Sequence, residues 1–298
     1  MKLNTFTWLF AILSTLIAGK LTAQDLTKSE FTAPGSLDTI CLNYDFLKGD
    51  TLIYRVESFD SIIINYDKPL LRRRFERIEI VVDSVGSNND NFYLSQRLIA
   101  YISTESSGDM KNIKRDKHPW IGQKSYYEID AFGKRYSYGT DDSLSYILTP
   151  GGAFTPVLFS DLGVYCTTRN ASWIVKSKDE LPENGVPFPL FNFTALYNFK
   201  DDIDTLGEDC YRLEYSRTGA SSYSYFSQGK RFRTTNSTNA HGVLEISKAR
   251  KIPIHLVIKD EQKLTFHKPS GTTYPGVHFI NTNFILEERR REKVIEDE

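Results

Sequence analysis

Residues 251–258, KIPIHLVI, decide the fold class, because large aliphatic side chains occupy every second position. These side chains are Ile252, Ile254, Leu256 and Ile258, and they alternate with Lys251, Pro253, His255 and Val257. Successive side chains of a β-strand point to opposite faces, so a period of two predicts a strand with one buried face.

The same period recurs along most of the chain. It is found in residues 40–46, 52–56, 78–82, 92–102, 211–215 and 277–286. Turn-forming stretches rich in Gly, Asn and Ser separate these segments. Roughly a dozen strands are too many for one flat sheet. We therefore predict a mainly β protein, built on a large, curved, half-barrel-like antiparallel sheet with one or two short helices as a plug.

Two segments interrupt the alternation. Phe154, Val157, Leu158 and Leu162 have the spacing of a short amphipathic helix. Residues 181–191 are rich in proline and predict an extended arm. These segments fall within a cover of residues 150–193, between strand-rich halves at about 38–148 and 194–287. We expect a single β-rich domain over residues 24–298, and two β domains joined by a linker are the alternative.

The N-terminus has the features of a signal peptide. Lys2 precedes an apolar run, Phe6–Gly19, that is shorter than the roughly 20 residues of a membrane-spanning helix. Leu21-Thr22-Ala23 resembles a cleavage site, which predicts a signal peptide of residues 1–23, cut after Ala23 or Gln24. Lys20 stands where a lipoprotein would carry its lipid-bearing cysteine. We expect a periplasmic or secreted protein that is not a lipoprotein and has no transmembrane span after cleavage.

Charge and cysteine content limit the partners and the disulfide bonds that this protein can have. The chain has 37 Lys and Arg against 38 Asp and Glu, so it lacks the basic field that nucleic acid attracts, and we expect no such partner. Three cysteines in an exported chain allow at most one internal disulfide. Buried free thiols are the first expectation, and a Cys166–Cys210 bridge is the alternative.

The layout resembles a known family of exported carriers. Residues 241–258, HGVLEISKARKIPIHLVI, are similar to the strand, charged turn and "IP" strand entry of half-barrel lipoprotein carriers of the LolA and LppX type. The resemblance covers most of the mature chain in architecture and these residues in motif. It implies a curved sheet that binds lipid acyl chains and has no catalytic residues.

Motifs of enzymes are absent from the sequence. It contains no nucleophile elbow, no zinc-protease motif and no phosphate-binding loop. We therefore predict a protein that is not an enzyme and has no metal or cofactor. His255, His267 and His278 lie on three successive predicted strands and are interpreted as surface or hydrogen-bonded side chains. The basic cluster Arg72–Arg74 precedes Glu76 and is interpreted as a solvated face.

A tripeptide of Asp, Ser or Thr, and an aliphatic residue occurs more often than chance predicts. It resembles the acceptor motif of O-glycosylation in exported Bacteroidetes proteins. The candidate acceptors are Thr39, Thr51, Ser61, Ser84, Ser143 and Thr205. The alternative is that Asp ends a turn and the next two residues begin a strand.

These observations predict a ligand-binding role. The ligand would be apolar or amphipathic and lipid-like, and the candidate binding residues are Phe154, Val157, Leu158 and Leu162. The alternative is a structural or interaction protein of the cell envelope, which binds protein or glycan through aromatic faces. Tyrosine-rich tracts around residues 126–146 and 215–232 suggest such faces, or else cross-strand pairs within the sheet. The oligomeric state is left open.

Overall fold

A computed structural model describes residues 39–87, 90–140, 150, 156–164, 166–180 and 190–291. Fourteen β-strands and no helix occur in these residues, which confirms the mainly β class. The strands are β1 (Thr39–Cys41), β2 (Asp50–Ile64), β3 (Leu70–Val85), β4 (Asn91–Ser107), β5 (Met110–Arg115), β6 (Lys124–Asp130), β7 (Arg135–Thr140), β8 (Cys166–Thr168), β9 (Ser172–Glu180), β10 (Leu190–Thr205), β11 (Glu208–Ser227), β12 (Lys230–Ser247), β13 (Pro253–His267) and β14 (Thr273–Arg291).

Twelve of these strands form one antiparallel sheet. Its order is β7-β6-β4-β3-β2-β14-β13-β12-β11-β10-β9, and β5 pairs with the free part of β4. The sheet is curved but not closed. The strands at its two ends, β7 and β9, have Cα atoms within 8 Å of each other but do not pair. The β2–β14 pairing joins the strand-rich halves in one sheet. The remaining strands, β1 and β8, form a separate two-stranded sheet.

The core lies on the inner face of the curved sheet. Ile254, Leu256 and Ile258 are buried there, as the alternation in residues 251–258 predicts. Residues 42–46 pack against the same core through Leu42, Tyr44 and Phe46. These three side chains alternate as a strand would, but β1 ends at Cys41, so the strand expected over residues 40–46 is wrong beyond that residue.

The short helix predicted from Phe154, Val157, Leu158 and Leu162 is wrong in its described part. Residues 156–164 are irregular, and Phe154 lies outside the described residues. The carbonyl oxygens of residues 160, 161 and 162 accept hydrogen bonds from side chains on distant parts of the fold. Their donors, in that order, are Tyr44 Oη at 3.0 Å, Tyr197 Oη at 2.8 Å and Trp173 Nε1 at 2.8 Å. These bonds replace the intrahelical ones, and Pro156 supplies no backbone donor.

The β6–β7 turn approaches this segment closely. Gly133 has a φ of 87°, and a Cβ atom there would come within 2.4 Å of the Ser160 carbonyl oxygen and 2.6 Å of the Tyr44 ring. The Leu162 amide donates to the Phe132 carbonyl in the same turn, at 2.8 Å. Residues 156–164 are thus fixed to the sheet by backbone and side-chain bonds. The Pro-rich arm falls outside the described residues up to residue 189, and residues 190–191 begin β10.

The expectation of buried free thiols is confirmed for Cys210 only, and the alternative Cys166–Cys210 bridge is wrong. Cys41 and Cys166 form a disulfide, and Cys210 is a buried free cysteine on β11. The antiparallel register of β1 and β8 places Cys41 directly opposite Cys166, which brings together residues that are 125 positions apart. This pairing is not predictable from spacing because both strands are only three residues long.

A search of the described residues finds no helix with the length and apolar character needed to cross a membrane. The predicted signal peptide, residues 1–23, lies outside the described residues.

Candidate functional site

The inner face of the sheet changes character along its strands. On β2, Tyr54 and Val56 are followed on the same face by Ser58 and Asp60. The other central strands change at the same level, and strand register aligns their residues. Neighbouring inner-face residues across the sheet at this level are Arg217, Ala240, Asp260, Ile280, Asp60 and Arg72. An apolar half and a polar half therefore share one face.

A buried ion network occupies the polar half. Arg74 is 2% exposed and donates to Asp60 from Nε at 2.6 Å and from Nη2 at 3.2 Å. Its Nη1 donates to Glu76. Arg72 and His278 also contact Asp60, at 3.0 Å and 3.3 Å. A buried charge is tolerated when it is paired and hydrogen-bonded in this way.

The pKa values of the two acids of this network are shifted in opposite directions. Burial alone would raise the pKa of Asp60, but the hydrogen bond from His278 and the charge of Arg74 hold it well below its usual range. Burial raises the pKa of Glu76, and Arg74 offsets this only in part. Asp60 is therefore a fixed negative charge, whereas Glu76 is the acid of the pair that gains a proton more readily.

A cavity of about 120 Å³ lies between the network and residues 156–159. Its wall combines apolar side chains of the sheet with Arg74 and Glu76. Val157 and Leu158, two of the predicted binding residues, line it, whereas Leu162 is fully buried in the core and does not. Trp120 is also in the wall, and its buried indole nitrogen has no hydrogen-bond partner among the described residues. We call this space the larger cavity.

A second cavity, of about 40 Å³, lies on the side of β9, β10 and β11. It shares Arg135, Val157 and Phe159 with the wall of the larger cavity. Ser177, Tyr215 and Arg217 complete its polar lining together with Ser160 and Asp161. We call this space the smaller cavity.

The interpretation of Arg72–Arg74 as a solvated face is wrong. Arg73 is exposed, but Arg72 and Arg74 point to the inner face. The sequence contains the signal, because the alternation over residues 78–82 places Ile78 and Ile80 together on the apolar face. Continuing that period of two toward the N-terminus places Glu76, Arg74 and Arg72 on the same face.

The candidate glycosylation sites lie in varied surroundings. Thr39 is exposed, and Thr51, Ser61, Ser84 and Thr205 are partly buried. Ser143 lies outside the described residues. The turn interpretation fits Asp50, whose carboxylate accepts from the Leu47 amide at the start of β2, but not Asp60, which is in mid-strand. Modification of these hydroxyls stays a prediction.

The histidines expected on three successive strands lie on two. His255 and His267 are on β13, and His278 is on β14. All three have hydrogen-bonding partners: Glu245 and Asn283 for His255, Thr235 for His267, and Asp60 for His278. In the described part of the chain, no three His, Cys, Asp or Glu side chains form a metal-binding group.

The aromatic tracts contribute mainly to the interior. Tyr127, Tyr215 and Tyr223 are buried, and Tyr126 and Tyr136 remain exposed. A different set of aromatic side chains faces outward from neighbouring strands. Its members are Phe59 on β2, Phe75 on β3 and Phe279 on β14, with exposures of 41%, 53% and 44%. This outer strip is not among the features predicted from the sequence.

Comparison of the chain with protein-family models gave no match, and comparison with curated proteins gave none either.

Proposed function

We propose that this protein is exported, is not an enzyme, and binds an apolar or amphipathic, lipid-like ligand on the inner face of its sheet. One observation carries the proposal: the larger cavity has apolar walls, formed by Val56, Leu158 and Phe284, and a charged wall, formed by Arg74 and Glu76. A ligand with an apolar part and a polar part matches both. This agrees with the role that the resemblance to half-barrel carriers implies.

The size of the larger cavity sets a condition on the ligand. A dry cavity of about 150 Å³ holds one benzene-sized molecule, so about 120 Å³ takes a group of similar or smaller size. A longer acyl chain must displace the Leu158 side chain. Leu158 is therefore the residue through which binding is best tested.

The test is a titration with the fluorescent polyene fatty acid cis-parinaric acid. We expect the wild type to bind it, and Leu158→Asp to weaken binding at least tenfold, because a carboxylate in an apolar wall is strongly disfavoured. Leu196→Asp is the control, since Leu196 is 40% exposed on β10. Circular dichroism checks that the sheet is retained. A wild type that binds no probe contradicts the proposal.

Export is supported by the disulfide between Cys41 and Cys166, because disulfides persist in oxidising compartments. The proposal predicts a mature N-terminus at Gln24 or Asp25, measured by intact mass. Recovery of Met1 in the exported fraction contradicts it.

A role in envelope interactions is the second candidate. The outer strip of Phe59, Phe75 and Phe279 supports it, since exposed aromatic groups on neighbouring strands are typical of contact surfaces. Under this alternative, Phe75→Ser abolishes capture of a protein or glycan partner and leaves cis-parinaric acid binding unchanged.

A further inference from the structure

The smaller cavity brings together polar groups that no described residue satisfies. Ser177 Oγ, Tyr215 Oη and Arg217 Nε are buried and have no hydrogen-bond partner in the described part of the chain. All three line this one cavity of about 40 Å³. A buried polar group without a hydrogen-bond partner is strongly disfavoured, so three around one small space indicate an acceptor that binds there.

Arg217 is only weakly engaged by its nearest acid. Its Nη2 atom is 4.0 Å from Asp260 Oδ2, which is too far for a hydrogen bond. Asp260 instead accepts hydrogen bonds from Thr238 and from Gln262, the latter at 3.0 Å. The guanidinium also lies over the Phe193 ring, 5.2 Å from its centre, which fixes its plane without using an N–H group. Arg217, a residue of the cavity wall, thus keeps an N–H donor, Nε, without a partner among the described residues.

Tyr215 is held in position by the neighbouring strand. Its ring lies over Gly242, where a Cβ atom would come within 2.5 Å of the ring carbons. Burial raises the pKa of Tyr215 to about 12, so the hydroxyl keeps its proton at neutral pH. The Ser160 side chain lies beside this hydroxyl, but the two form no hydrogen bond of normal geometry.

The charge and volume of the smaller cavity select the acceptor. Among the described residues of its wall, the cations Arg135 and Arg217 outnumber the one acid, Asp161, so these residues together carry a net positive charge. A water-sized atom needs about 10–15 Å³, so the cavity has room for about three such atoms. A carboxylate has three heavy atoms and accepts on both oxygens, and an arginine fork matches it. A phosphate group is larger.

We propose that the smaller cavity binds the carboxylate of the ligand while the larger cavity takes its apolar part. The shared wall of Arg135, Val157 and Phe159 makes the two cavities neighbours under one segment. The ligand class is therefore a carboxylic acid with an apolar tail. This inference rests on the proposed function and specifies its ligand.

The experiment compares cis-parinaric acid with its methyl ester, which has the same tail and no charge. We expect the wild type to bind the acid at least about tenfold more tightly, as for a charge-assisted hydrogen bond. Arg217→Met should remove this preference, so that the variant binds the acid and the ester equally. Ser177→Ala should reduce the preference in part. Arg212→Met is the matched control, because Arg212 lies on the opposite face of β11 and should keep the preference.

The outcomes separate the two proposals. Equal binding of acid and ester by the wild type overturns the carboxylate site and leaves the proposed function standing. A preference for the acid that survives in Arg217→Met also overturns the carboxylate site. If the wild type binds neither compound, both proposals fail.

Discussion

Arg74 is the residue on which the polar half of the inner face depends. It lies between Asp60 and Glu76 and is almost completely buried. Arg74→Met would leave Glu76 without its hydrogen-bonding arginine and Asp60 with two contacts fewer. We expect the free energy of unfolding to fall by about 3–5 kcal/mol, as when one partner of a buried ion pair is removed.

Urea denaturation measures this loss, and Arg73→Met is the control because Arg73 is exposed on the same strand. The control should change stability by less than about 0.5 kcal/mol. Equal effects of the two substitutions would contradict the inward position of Arg74.

His118 gives the protein a specific dependence on pH. Its pKa is lowered to about 4, first by burial and then by the charges of Arg72 and Arg74. An unfolded histidine has a pKa of about 6.5. Between these values the unfolded chain binds a proton that the folded protein does not, so the free energy of unfolding falls as the pH falls. His118→Asn should flatten the stability curve between pH 6.5 and 4.

His255 provides the control for this prediction because its pKa is shifted in the opposite direction. A hydrogen bond to Glu245 raises it, so its contribution is complete below about pH 6.5 and is lost as the pH rises. His255→Asn should therefore lower stability below about pH 6.5 by a constant amount and change the slope of the stability curve only above that pH. A His118→Asn curve parallel to that of the wild type below pH 6.5 would refute the assignment.

At the scale of elements, residues 156–164 replace the expected helix. Leu158 is 5% exposed and belongs to the core, while one side of it borders the larger cavity. Leu158→Ala should lower the free energy of unfolding by about 2–5 kcal/mol, nearer the lower value because the site already adjoins empty space. Thermal and urea unfolding measure it, with Leu196→Ala as an exposed control. A loss no larger than the control's would mean that the segment does not pack on the core.

The disulfide also acts at the level of elements, since it links two short strands that are 125 residues apart in sequence. Closing so long a loop restricts the unfolded chain, and we expect the double variant Cys41→Ser, Cys166→Ser to lose about 2–5 kcal/mol. Cys210→Ser tests the remaining cysteine, whose pKa is raised to about 11, chiefly by burial. It should leave the thiol count of the native protein at zero by Ellman titration. A thiol detected in Cys210→Ser, native or unfolded, would contradict the pairing of Cys41 with Cys166.

For the whole molecule, the local alternation of residues was sufficient to predict the curved antiparallel sheet. Ile254, Leu256 and Ile258 mark the buried face of β13 because the period of two is set by each strand alone. The helix prediction was wrong because the carbonyl oxygens of residues 160–162 accept hydrogen bonds from Tyr44, Tyr197 and Trp173. These contacts are distant in sequence, so a local pattern does not reveal them. The inward position of Glu76 and Arg74 could have been predicted by extending the period of two from Ile78 and Ile80. The proximity of Ser177 and Arg217 could not have been predicted, because it depends on the curvature of the sheet.

The central claim is that this inner face holds an amphipathic ligand. Native mass spectrometry of the protein purified from the exporting cell tests it most directly. We predict that the wild type carries a non-covalent adduct with the mass of a lipid-like acid and that Leu158→Asp, folded to the same extent, lacks it. A wild-type spectrum that shows only the bare protein, from a preparation that also fails to bind added cis-parinaric acid, would contradict the claim.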